Sequence, residues 1–188
     1  MGKYVSRAGE KLEFALKHFR INVENLICAD FGSSTGGFTD CLIQNGALRV
    51  YSIDTAYGEL AWNIRNNPKV LVLERTNAMY VDLPEKMDLI TIDVAWTKQE
   101  KIIPQALKYL KKEGYIISLI KPHYESPGKY LRKGKLLDEK LEEVLGMVKQ
   151  NIINAGCLIV DMVQSPLVGD KGKNKEYLVL INRSVELP

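Results

Sequence analysis

The sequence predicts an α/β fold in which a mostly parallel, doubly wound sheet is covered by helices on both faces. Short apolar runs typical of buried strands alternate with segments of helical periodicity. A glycine-rich turn follows the first of these strands, and a charged residue follows three of the later ones. With 188 residues and 46% hydrophobic side chains, the chain can form one domain with a complete core. We expect a single domain over residues 1–188, with residues 1–22 as an N-terminal helical segment packed on it.

The predicted helices are recognised by apolar residues that recur at intervals of three and four positions. Ser6 is the predicted N-cap of the first helix, which carries Lys11. Gly114 and Gly156 are the predicted stop signals of the fourth and fifth helices. In chain order, the predicted helices cover residues 6–20, 38–43, 60–65, 102–113 and 136–155.

The predicted strands are short apolar runs bounded by polar or glycine-containing turns. Asp54 follows the second strand, Asp93 the fourth and Lys121 the fifth. Because the carboxyl ends of parallel strands meet at one edge of a sheet, Asp93 and Lys121 are expected to project into the same crevice. The predicted strands cover residues 26–31, 48–53, 70–73, 87–92, 115–120, 157–163 and 176–181.

Several classes of protein are disfavoured by the composition. No run of about 18 apolar residues is present and the N-terminus is charged and periodic, so we expect a cytosolic protein without a signal peptide or membrane span. Cys28, Cys41 and Cys157 are odd in number and lie among apolar neighbours, which predicts buried thiols. His18 and His123 do not lie at metal-ligand spacing, so no metal is expected.

Positive charge is concentrated in two loops, although the net charge of +3 does not by itself indicate a nucleic-acid partner. Either loop could neutralise phosphates in a salt-dependent manner, or could be an ordinary solvated surface. The first loop has Glu125 as its acidic counter-charge. The cations are Lys121, Lys129, Arg132, Lys133 and Lys135 in the first loop, and Lys171, Lys173 and Lys175 in the second.

The glycine-rich turn lies in residues 30–40, between the first strand and its helix. Glycines let the backbone approach a ligand closely, and a helix N-terminus offers amide donors to a carboxylate or phosphate. The turn matches neither the dinucleotide pattern Gly-x-Gly-x-x-Gly nor a phosphate loop that ends in Gly-Lys-Ser/Thr. Asp54 lies where an acidic side chain would accept hydrogen bonds from an adenosine ribose. Together they favour an adenosine-containing cofactor; a plain tight turn and a strand-end cap are the alternatives.

Four ionisable residues, Lys11, Asp93, Lys121 and Glu176, are expected at the same edge of the sheet. A ribose hydroxyl that attacks a methyl sulfonium must be held in line and must lose its proton. A lysine can accept that proton only when it is neutral. Lowering its pKa from about 10.4 to near 7 costs roughly 4 to 5 kcal/mol, which a nearby ammonium and partial desolvation could supply. A pair of ordinary salt bridges is the alternative.

Several separated motifs, in this order, resemble the TlyA or haemolysin-A branch of the FtsJ-like RNA methyltransferases. The resemblance covers almost the entire chain. Its motifs are residues 4–12, the glycine-rich turn, and residues 54–62, 74–77, 119–122 and 175–177.

The resemblance implies a class I methyltransferase fold, Rossmann-like, with a seven-stranded sheet that has one antiparallel strand. It also implies S-adenosylmethionine as donor and 2′-O-methylation of ribosomal RNA, with cytidine as the target. Lys121 would be the base, positioned by Lys11, Asp93 and Glu176. The partner would be structured RNA, as ribosomal RNA or a ribosomal subunit, with neither a membrane nor DNA expected. The implied cofactor-binding residues are Gly32, Ser33, Ser34, Thr35, Gly36, Gly37 and Phe38 for the methionine part, Asp54 for the ribose, Asn77 for the adenine region, and Asp93.

Three departures from the family pattern bear on substrate binding. Family members carry an RNA-binding S4 domain ahead of this region. We expect either that the substrate is bound by other means or that the chain is a fragment. Ala95 and Trp96 follow Asp93-Val94 where the family has a serine and a phenylalanine. Trp96 is expected either to stack on the acceptor base or to pack in the core. Ala56 replaces a glycine and should tighten the cofactor loop. His123 is expected to make a local hydrogen bond rather than to act in catalysis.

Other functions fit the sequence less well. A non-catalytic RNA-binding or ribosome-assembly factor would bind RNA without turnover, but all four charged positions are present. An amino-group methyltransferase would carry Asn or Asp before Pro-Pro and an aromatic residue, which residues 93–96 do not provide. Membrane lysis lacks a strongly amphipathic cationic helix.

Overall fold

The computed structural model describes residues 2–169 and 173–184. A seven-stranded sheet has the order β3-β2-β1-β4-β5-β9-β8, and β9 is antiparallel to both of its neighbours while the other pairs are parallel. The prediction of a mostly parallel sheet with one antiparallel strand is therefore confirmed. Its strands are β1 Ile27–Phe31, β2 Arg49–Ile53, β3 Val70–Leu73, β4 Met87–Ile92, β5 Leu110–Ile120, β8 Cys157–Gln164 and β9 Tyr177–Arg183.

Helices cover both faces of the sheet, and a small hairpin lies outside it. The hairpin pairs β6 with β7 in antiparallel register. The helices are α1 Ala8–Phe19, α2 Gly37–Gln44, α3 Trp62–Arg65, α4 Gln99–Tyr109, α5 Pro122–Glu125 and α6 Leu141–Asn154, with 3-10 turns at Gly128–Tyr130 and Asp138–Lys140; the hairpin strands are β6 Leu131–Arg132 and β7 Lys135–Leu136. No helix in the described part of the chain is long and apolar enough to cross a membrane.

Two apolar clusters form the core, one on each face of the sheet. Leu12 and Leu16 of α1 join Leu42 of α2 on one face, whereas Ile102 of α4 and Val148 of α6 lie on the other. Each of these side chains is at most 5% exposed, and burying one such side chain stabilises the fold by about 1.5 to 3 kcal/mol. The helical spacing in the sequence thus correctly identified the buried faces of α1 and α4. Cys28, Cys41 and Cys157 are buried free thiols, as predicted.

Three predicted element boundaries were wrong. Ser6 does not cap α1, because Arg7 occupies the N-cap position and Ser6 lies so close to Gly37 that a Cβ there would be 2.2 Å from its Oγ. Gly114 does not end a helix: it lies inside β5, opposite an irregularity between Met87 and Leu89, where a Cβ would meet the Asp88 carbonyl oxygen at 2.9 Å.

The third difference is the start of the last helix. Residues 136–140 were predicted to be helical, but α6 begins at Leu141. The backbone N–H of Leu136 instead donates to Oδ1 of Asn174, a buried side chain distant in sequence. This tertiary hydrogen bond holds the segment as a strand, because the amide that a helix would use is already bonded elsewhere.

The order of the strands creates a crevice at their carboxyl ends. From β1 the chain moves outward to β2 and β3, and then crosses to β4 on the other side of β1. Ligands bind at such a reversal point in doubly wound sheets, because the two connections leave in opposite directions and leave a gap. The glycine-rich turn after β1 and the loop after β4 flank that gap.

Candidate active site

A cavity of about 950 Å³ opens at the carboxyl ends of the central strands. Nearly all of the residues predicted from the sequence as site residues line it. They are Lys11, Gly32, Ser33, Ser34, Thr35, Phe38, Asp54, Asn77, Asp93, Lys121 and Glu176. Gly36 and Gly37, which were predicted to bind cofactor, are not among its lining residues. We call the part lined by the glycine-rich turn, Asp54 and Asn77 the turn side, and the part around Trp96 and Lys121 the acceptor side.

The turn side depends on a left-handed glycine and a strand-end carboxylate. Gly32 has φ of +89°, and a Cβ at this position would lie 2.7 Å from the Asp93 carbonyl oxygen. Asp54 accepts hydrogen bonds from Ser34 N at 2.7 Å and from Ala56 N at 2.8 Å. Because both carboxylate oxygens are held by backbone amides, the side chain is fixed at the edge of the cavity. An oxygen has further lone pairs, so it can still accept a bond from a ligand hydroxyl.

Gly36 and Gly37 allow close packing of the helices around the turn. Gly36 has φ of +100°, and a Cβ there would lie 2.8 Å from Cδ1 of Leu60. A Cβ on Gly37 would lie 2.9 Å from the backbone nitrogen of Gly9 at the start of α1. Gly36 therefore lets the turn pack on Leu60 and α3, whereas Gly37 brings α2 against α1, the helix that carries Lys11.

Behind the turn, Asp30 joins β1 to its neighbours. It accepts hydrogen bonds from the hydroxyls of Thr39 in α2 at 2.7 Å and Thr91 in β4 at 3.0 Å. Complete burial raises the pKa of Asp30 to about 7, and the two hydroxyls act in the opposite direction. Asp30 therefore anchors the turn rather than contacting a ligand.

The four predicted ionisable residues come together as two ion pairs. Lys11 Nζ lies 2.6 Å from Oε2 of Glu176, and their side chains are 7% and 4% exposed. Lys121 Nζ lies 2.6 Å from Oδ1 of Asp93, with side chains 17% and 16% exposed. All four line the same cavity, although they come from α1, the end of β4, the end of β5 and the residue before β9.

The pKa of Lys121 is raised, which is opposite to the direction predicted from the sequence. Burial disfavours its ammonium form, but the Asp93 carboxylate and the more distant Glu176 outweigh that effect. The prediction assumed that a second ammonium would be the decisive neighbour. In the structure each lysine has its own carboxylate, so Lys121 is an ammonium in the free protein at neutral pH.

An aromatic stack forms the outer rim on the acceptor side. The Trp96 ring lies 4.6 Å from the Tyr124 ring, which lies 4.1 Å from the His123 ring, measured between centroids. Trp96 is 80% exposed, so the core role considered for it is wrong. It also has φ of +64°, a conformation that costs a bulky residue of order 1–3 kcal/mol.

His123 does not make the local hydrogen bond expected for its buried ring nitrogen. Its Nδ1 has no hydrogen-bond partner among the described residues. Burial, followed by the charge of Lys121, lowers the pKa of His123, so its ring is neutral at pH 7. Tyr124 was not predicted as a site residue, because α5 is a single short turn with no periodic pattern to reveal it.

The residues of the turn side fit S-adenosylmethionine. Gly32 lets the turn pack directly on the backbone of Asp93 at the edge of the cavity, and Asp54 presents an oriented carboxylate. Phe38 and Asn77 line the same part of the cavity. Apolar surface, backbone amides and one carboxylate are the groups that a nucleoside with an amino-acid tail requires.

Comparison with known proteins identifies a family and several similar proteins. The sequence profile of the FtsJ-like methyltransferase family matches residues 4–183. Hemolysin A of Brachyspira hyodysenteriae is 40% identical over 184 residues, which is 94% of this chain and 75% of that protein. The 16S/23S rRNA (cytidine-2'-O)-methyltransferase TlyA of Mycobacterium tuberculosis is 35% identical over 190 residues, covering 97% of this chain and 70% of that protein.

The solved structures include one of nearly the same fold. A candidate hemolysin from Streptococcus thermophilus superposes with a TM-score of 0.93 at 32% identity. The match covers 98% of this chain and 68% of that one. At this level of similarity the whole described sheet and its helices have counterparts in that structure.

Proposed function

This chain belongs to the FtsJ-like methyltransferase family, and from that premise we propose that it methylates the 2′-hydroxyl of a cytidine in ribosomal RNA with Lys121 as general base. As a member of the family, the chain is an S-adenosylmethionine-dependent RNA methyltransferase. The TlyA relatives act on ribosomal RNA cytidines, and we extend that substrate to this chain. One observation carries the proposal: the Asp93–Lys121 pair lies in the same cavity as the glycine-rich turn. Such a reaction belongs in the cytoplasm, where ribosomal RNA is modified.

The residues of the turn side would bind S-adenosylmethionine. The methyl group of this donor would be the electrophile that the reaction requires. Residues 32–38 would hold the methionine part, although Gly36 would do so indirectly, by packing on Leu60, and Gly37 by packing α2 on α1. Asp54 would accept hydrogen bonds from the ribose, and Asn77 would contact the adenine region. Asp93 would lie between donor and acceptor, since its backbone carbonyl faces Gly32 and its carboxylate faces Lys121.

Lys121 would hold the acceptor hydroxyl and receive its proton. When bound, the donor would supply an electrophilic methyl group to the 2′-oxygen and would keep the electron pair of its carbon–sulfur bond, while Nζ of Lys121 would receive the hydroxyl proton. The amine must be neutral beforehand, so it first releases its own proton to solvent. In the free protein the raised pKa makes that form scarce. A cationic ligand beside it and the exclusion of water by RNA would both favour the neutral amine.

Lys11 and Glu176 would position this pair. The Glu176 carboxylate adds to the charges that raise the pKa of Lys121, and the Lys11 ammonium lies 2.6 Å from that carboxylate. Because both side chains are buried, removing one partner leaves an uncompensated charge, which costs several kcal/mol. Their role is therefore to fix the electrostatic environment of Lys121.

Trp96 would stack on the acceptor base. Its ring is exposed at the rim of the cavity and rests against Tyr124, close to the pair that would hold the ribose. Backbone strain at an exposed tryptophan indicates a functional role such as ligand binding, rather than an ordinary surface position. Stacking of this kind contributes about 1–3 kcal/mol per base.

The experiment is methyl transfer from a radiolabelled donor to purified small and large ribosomal subunits and to naked ribosomal RNA. Mapping of the modified nucleotide by mass spectrometry follows. We expect label on a cytidine 2′-oxygen in at least one of the substrates. Label on a base nitrogen or carbon, or on protein, would contradict the proposal.

A second candidate function is an RNA-binding assembly factor without turnover. The closed Asp93–Lys121 ion pair favours it, since a lysine held as an ammonium cannot accept a proton. The same experiment separates the two functions. Specific binding of a ribosomal subunit with no transferred label, in the presence of saturating donor, would support the assembly factor and contradict the enzyme.

A further inference from the structure

A short basic hairpin projects beside the acceptor side of the cavity. Strands β6 and β7 are joined by Lys133 and Gly134, with φ of +50° and +76°. Two consecutive residues with positive φ are typical of the tight hairpin turn that usually contains asparagine or aspartate followed by glycine. A lysine in this conformation is uncommon, so the sequence places a cation at the tip at some conformational cost. Arg132 and Lys135, on either side, are exposed as is Lys133.

A buried asparagine connects this hairpin to a second basic segment. Asn174 is 4% exposed; its Oδ1 accepts from Leu136 N at 3.1 Å, and its Nδ2 donates to Gly134 O at 3.1 Å. Lys173 and Lys175, its neighbours in the chain, are both exposed. The side chain of Asn174 thus joins two loops that are distant in sequence into one surface. We call this surface, formed by residues 131–136 and 173–175, the basic clamp.

The basic clamp is fixed relative to the cavity. The backbone N–H of Gly169 donates to Asn174 O at 2.9 Å, and Gly169 lines the cavity. Glu176, paired with Lys11, lies two residues beyond Asn174. Both connections run through short backbone segments, so Asn174 is held close to the cavity and to the Lys11–Glu176 pair.

Within the described part of the chain, the cations of the basic clamp make no ion pair. Among residues 2–169 and 173–184, none of its cations lies within ion-pair distance of a carboxylate. Elsewhere on the described surface, Lys3, Arg49, Lys111 and Lys140 each pair with an acid. Asp138 and Glu139 follow the hairpin in the chain but make no such pair with it. A compact group of uncompensated, exposed cations is the electrostatic signature of a phosphate-binding surface.

We propose that the basic clamp binds backbone phosphates of the RNA strand that enters the cavity. This inference rests on the proposed function for the identity of the nucleic acid as RNA. Contacts of this kind position a nucleic acid without reading its sequence, because phosphates are the same at every nucleotide. The clamp sets the direction from which the acceptor ribose reaches Lys121, while Trp96 contacts the base.

The test measures the salt dependence of RNA binding. A fluorescein-labelled RNA hairpin is titrated with the full chain at several KCl concentrations, for the parent and for the triple variant R132Q/K133Q/K135Q. Log K falls as log salt rises, and each lost phosphate contact makes this negative slope shallower by about 0.9. For this variant we therefore expect the magnitude of the slope to decrease by about 2 to 3. At physiological salt the affinity should fall at least about tenfold.

A matched triple variant controls for the overall change in charge. K69Q/K86Q/K112Q removes three exposed lysines at the amino ends of β3, β4 and β5, the sheet edge opposite the cavity. We expect its slope to remain within about 1 of the parent value. Equal decreases for both triple variants would overturn the proposal, because binding would then reflect the general field of the protein. An unchanged slope for the hairpin variant would overturn it as well.

The outcome can be separated from that of the proposed function. Methyl transfer to ribosomal RNA is measured on the same proteins at saturating RNA. A reduced slope with no transfer in the parent supports the clamp and contradicts the enzyme activity. Transfer in the parent, with no effect of the hairpin variant on the slope, supports the enzyme activity and contradicts the clamp.

Discussion

The turn side and the acceptor side of the cavity are built in different ways. On the turn side the important contacts join residues close in sequence, such as Ser34 and Asp54, which are 20 positions apart. On the acceptor side, Lys11 and Glu176 are 165 positions apart, and Trp96 packs on Tyr124 of α5. A site assembled locally can be recognised by a motif, whereas a site assembled from distant segments depends on the fold.

The two sides also differ in what fixes their geometry. The turn side is held by backbone amides and by a glycine whose conformation excludes other residues. The acceptor side is held by buried ion pairs and stacked rings. Changes on the turn side should therefore act on donor affinity, and changes on the acceptor side on transfer and RNA affinity. The following predictions test that separation.

The largest expected effect is that of Lys121→Ala. Removing a general base lowers the rate by about 10²–10⁴-fold, and we expect methyl transfer to fall within that range. Donor affinity, measured by calorimetry, should stay within about threefold of the parent, because Lys121 is not on the turn side. Lys112→Ala, at the exposed start of the same strand, is the control and should keep its activity. Normal turnover by the Lys121 variant would remove this residue as the base.

Gly32→Ala should weaken donor binding, because Gly32 belongs to the turn side. A left-handed alanine costs of order 1–3 kcal/mol, and its Cβ would lie 2.7 Å from the Asp93 carbonyl oxygen, so donor affinity should fall about tenfold or more. Gly156→Ala is the matched control: φ is +82° there, but nothing lies within 4 Å of the added Cβ. Unchanged donor binding by the Gly32 variant would contradict the assignment of the turn side.

The pH dependence of transfer reports on the ammonium of Lys121. Because Asp93 and Glu176 hold its pKa above the ordinary value, the neutral form and hence the rate should rise about tenfold per pH unit through the neutral range. In Asp93→Asn the main carboxylate that raises the pKa is lost. The rate of this variant should therefore level off at a lower pH, even though its maximum is reduced. A rate independent of pH in the parent would argue against proton transfer to this lysine.

Trp96→Ala should weaken RNA binding while sparing donor binding. Loss of one stacking contact corresponds to about 1 kcal/mol or more, so we expect an RNA affinity about fivefold to tenfold lower. Tyr80→Ala is the control, since Tyr80 is 82% exposed and does not line the cavity. Equal losses of RNA and donor affinity in the Trp96 variant would reject a role in stacking.

The last prediction concerns stability rather than methyl transfer or ligand affinity. It involves Glu125, which lies behind the acceptor side. Its carboxylate accepts a hydrogen bond from Gln99 N at 3.0 Å, at the start of α4, and burial raises its pKa from 4.5 to about 7. A raised pKa of an acid means that stability is greatest at low pH and is lost as the pH rises through about 7. Glu125→Gln cannot ionise and should not show this loss.

The measurement is urea denaturation of the parent and Glu125→Gln at about pH 5 and pH 8. We expect the free energy of unfolding of the parent to decrease by about 2 to 3 kcal/mol relative to the variant between these conditions. A constant difference between the two proteins would mean that Glu125 does not change its ionisation there. Asp30→Asn tests the corresponding buried acid of the turn side, whose pKa is also raised to about 7.

Much of the fold follows from short-range patterns in the sequence. Every predicted strand is present, because buried parallel strands require continuous apolar runs such as Met87–Ile92. The boundaries failed where a distant residue competes for the backbone. Asn174 holds Leu136 in a strand, and Gly114 continues β5 because it packs on the Asp88 carbonyl oxygen.

The sheet, the glycine-rich turn and the residue types at the strand ends could all be predicted from the sequence. These features depend on periodicity and on backbone conformation, which neighbouring residues specify. The pairing of Lys11 with Glu176 and of Lys121 with Asp93, and hence the raised pKa of Lys121, became clear from the three-dimensional fold. The fold also decided that Asn174 unites two basic loops. Electrostatic effects depend on the distances between charges, and those distances are set by the packing of segments far apart in the chain.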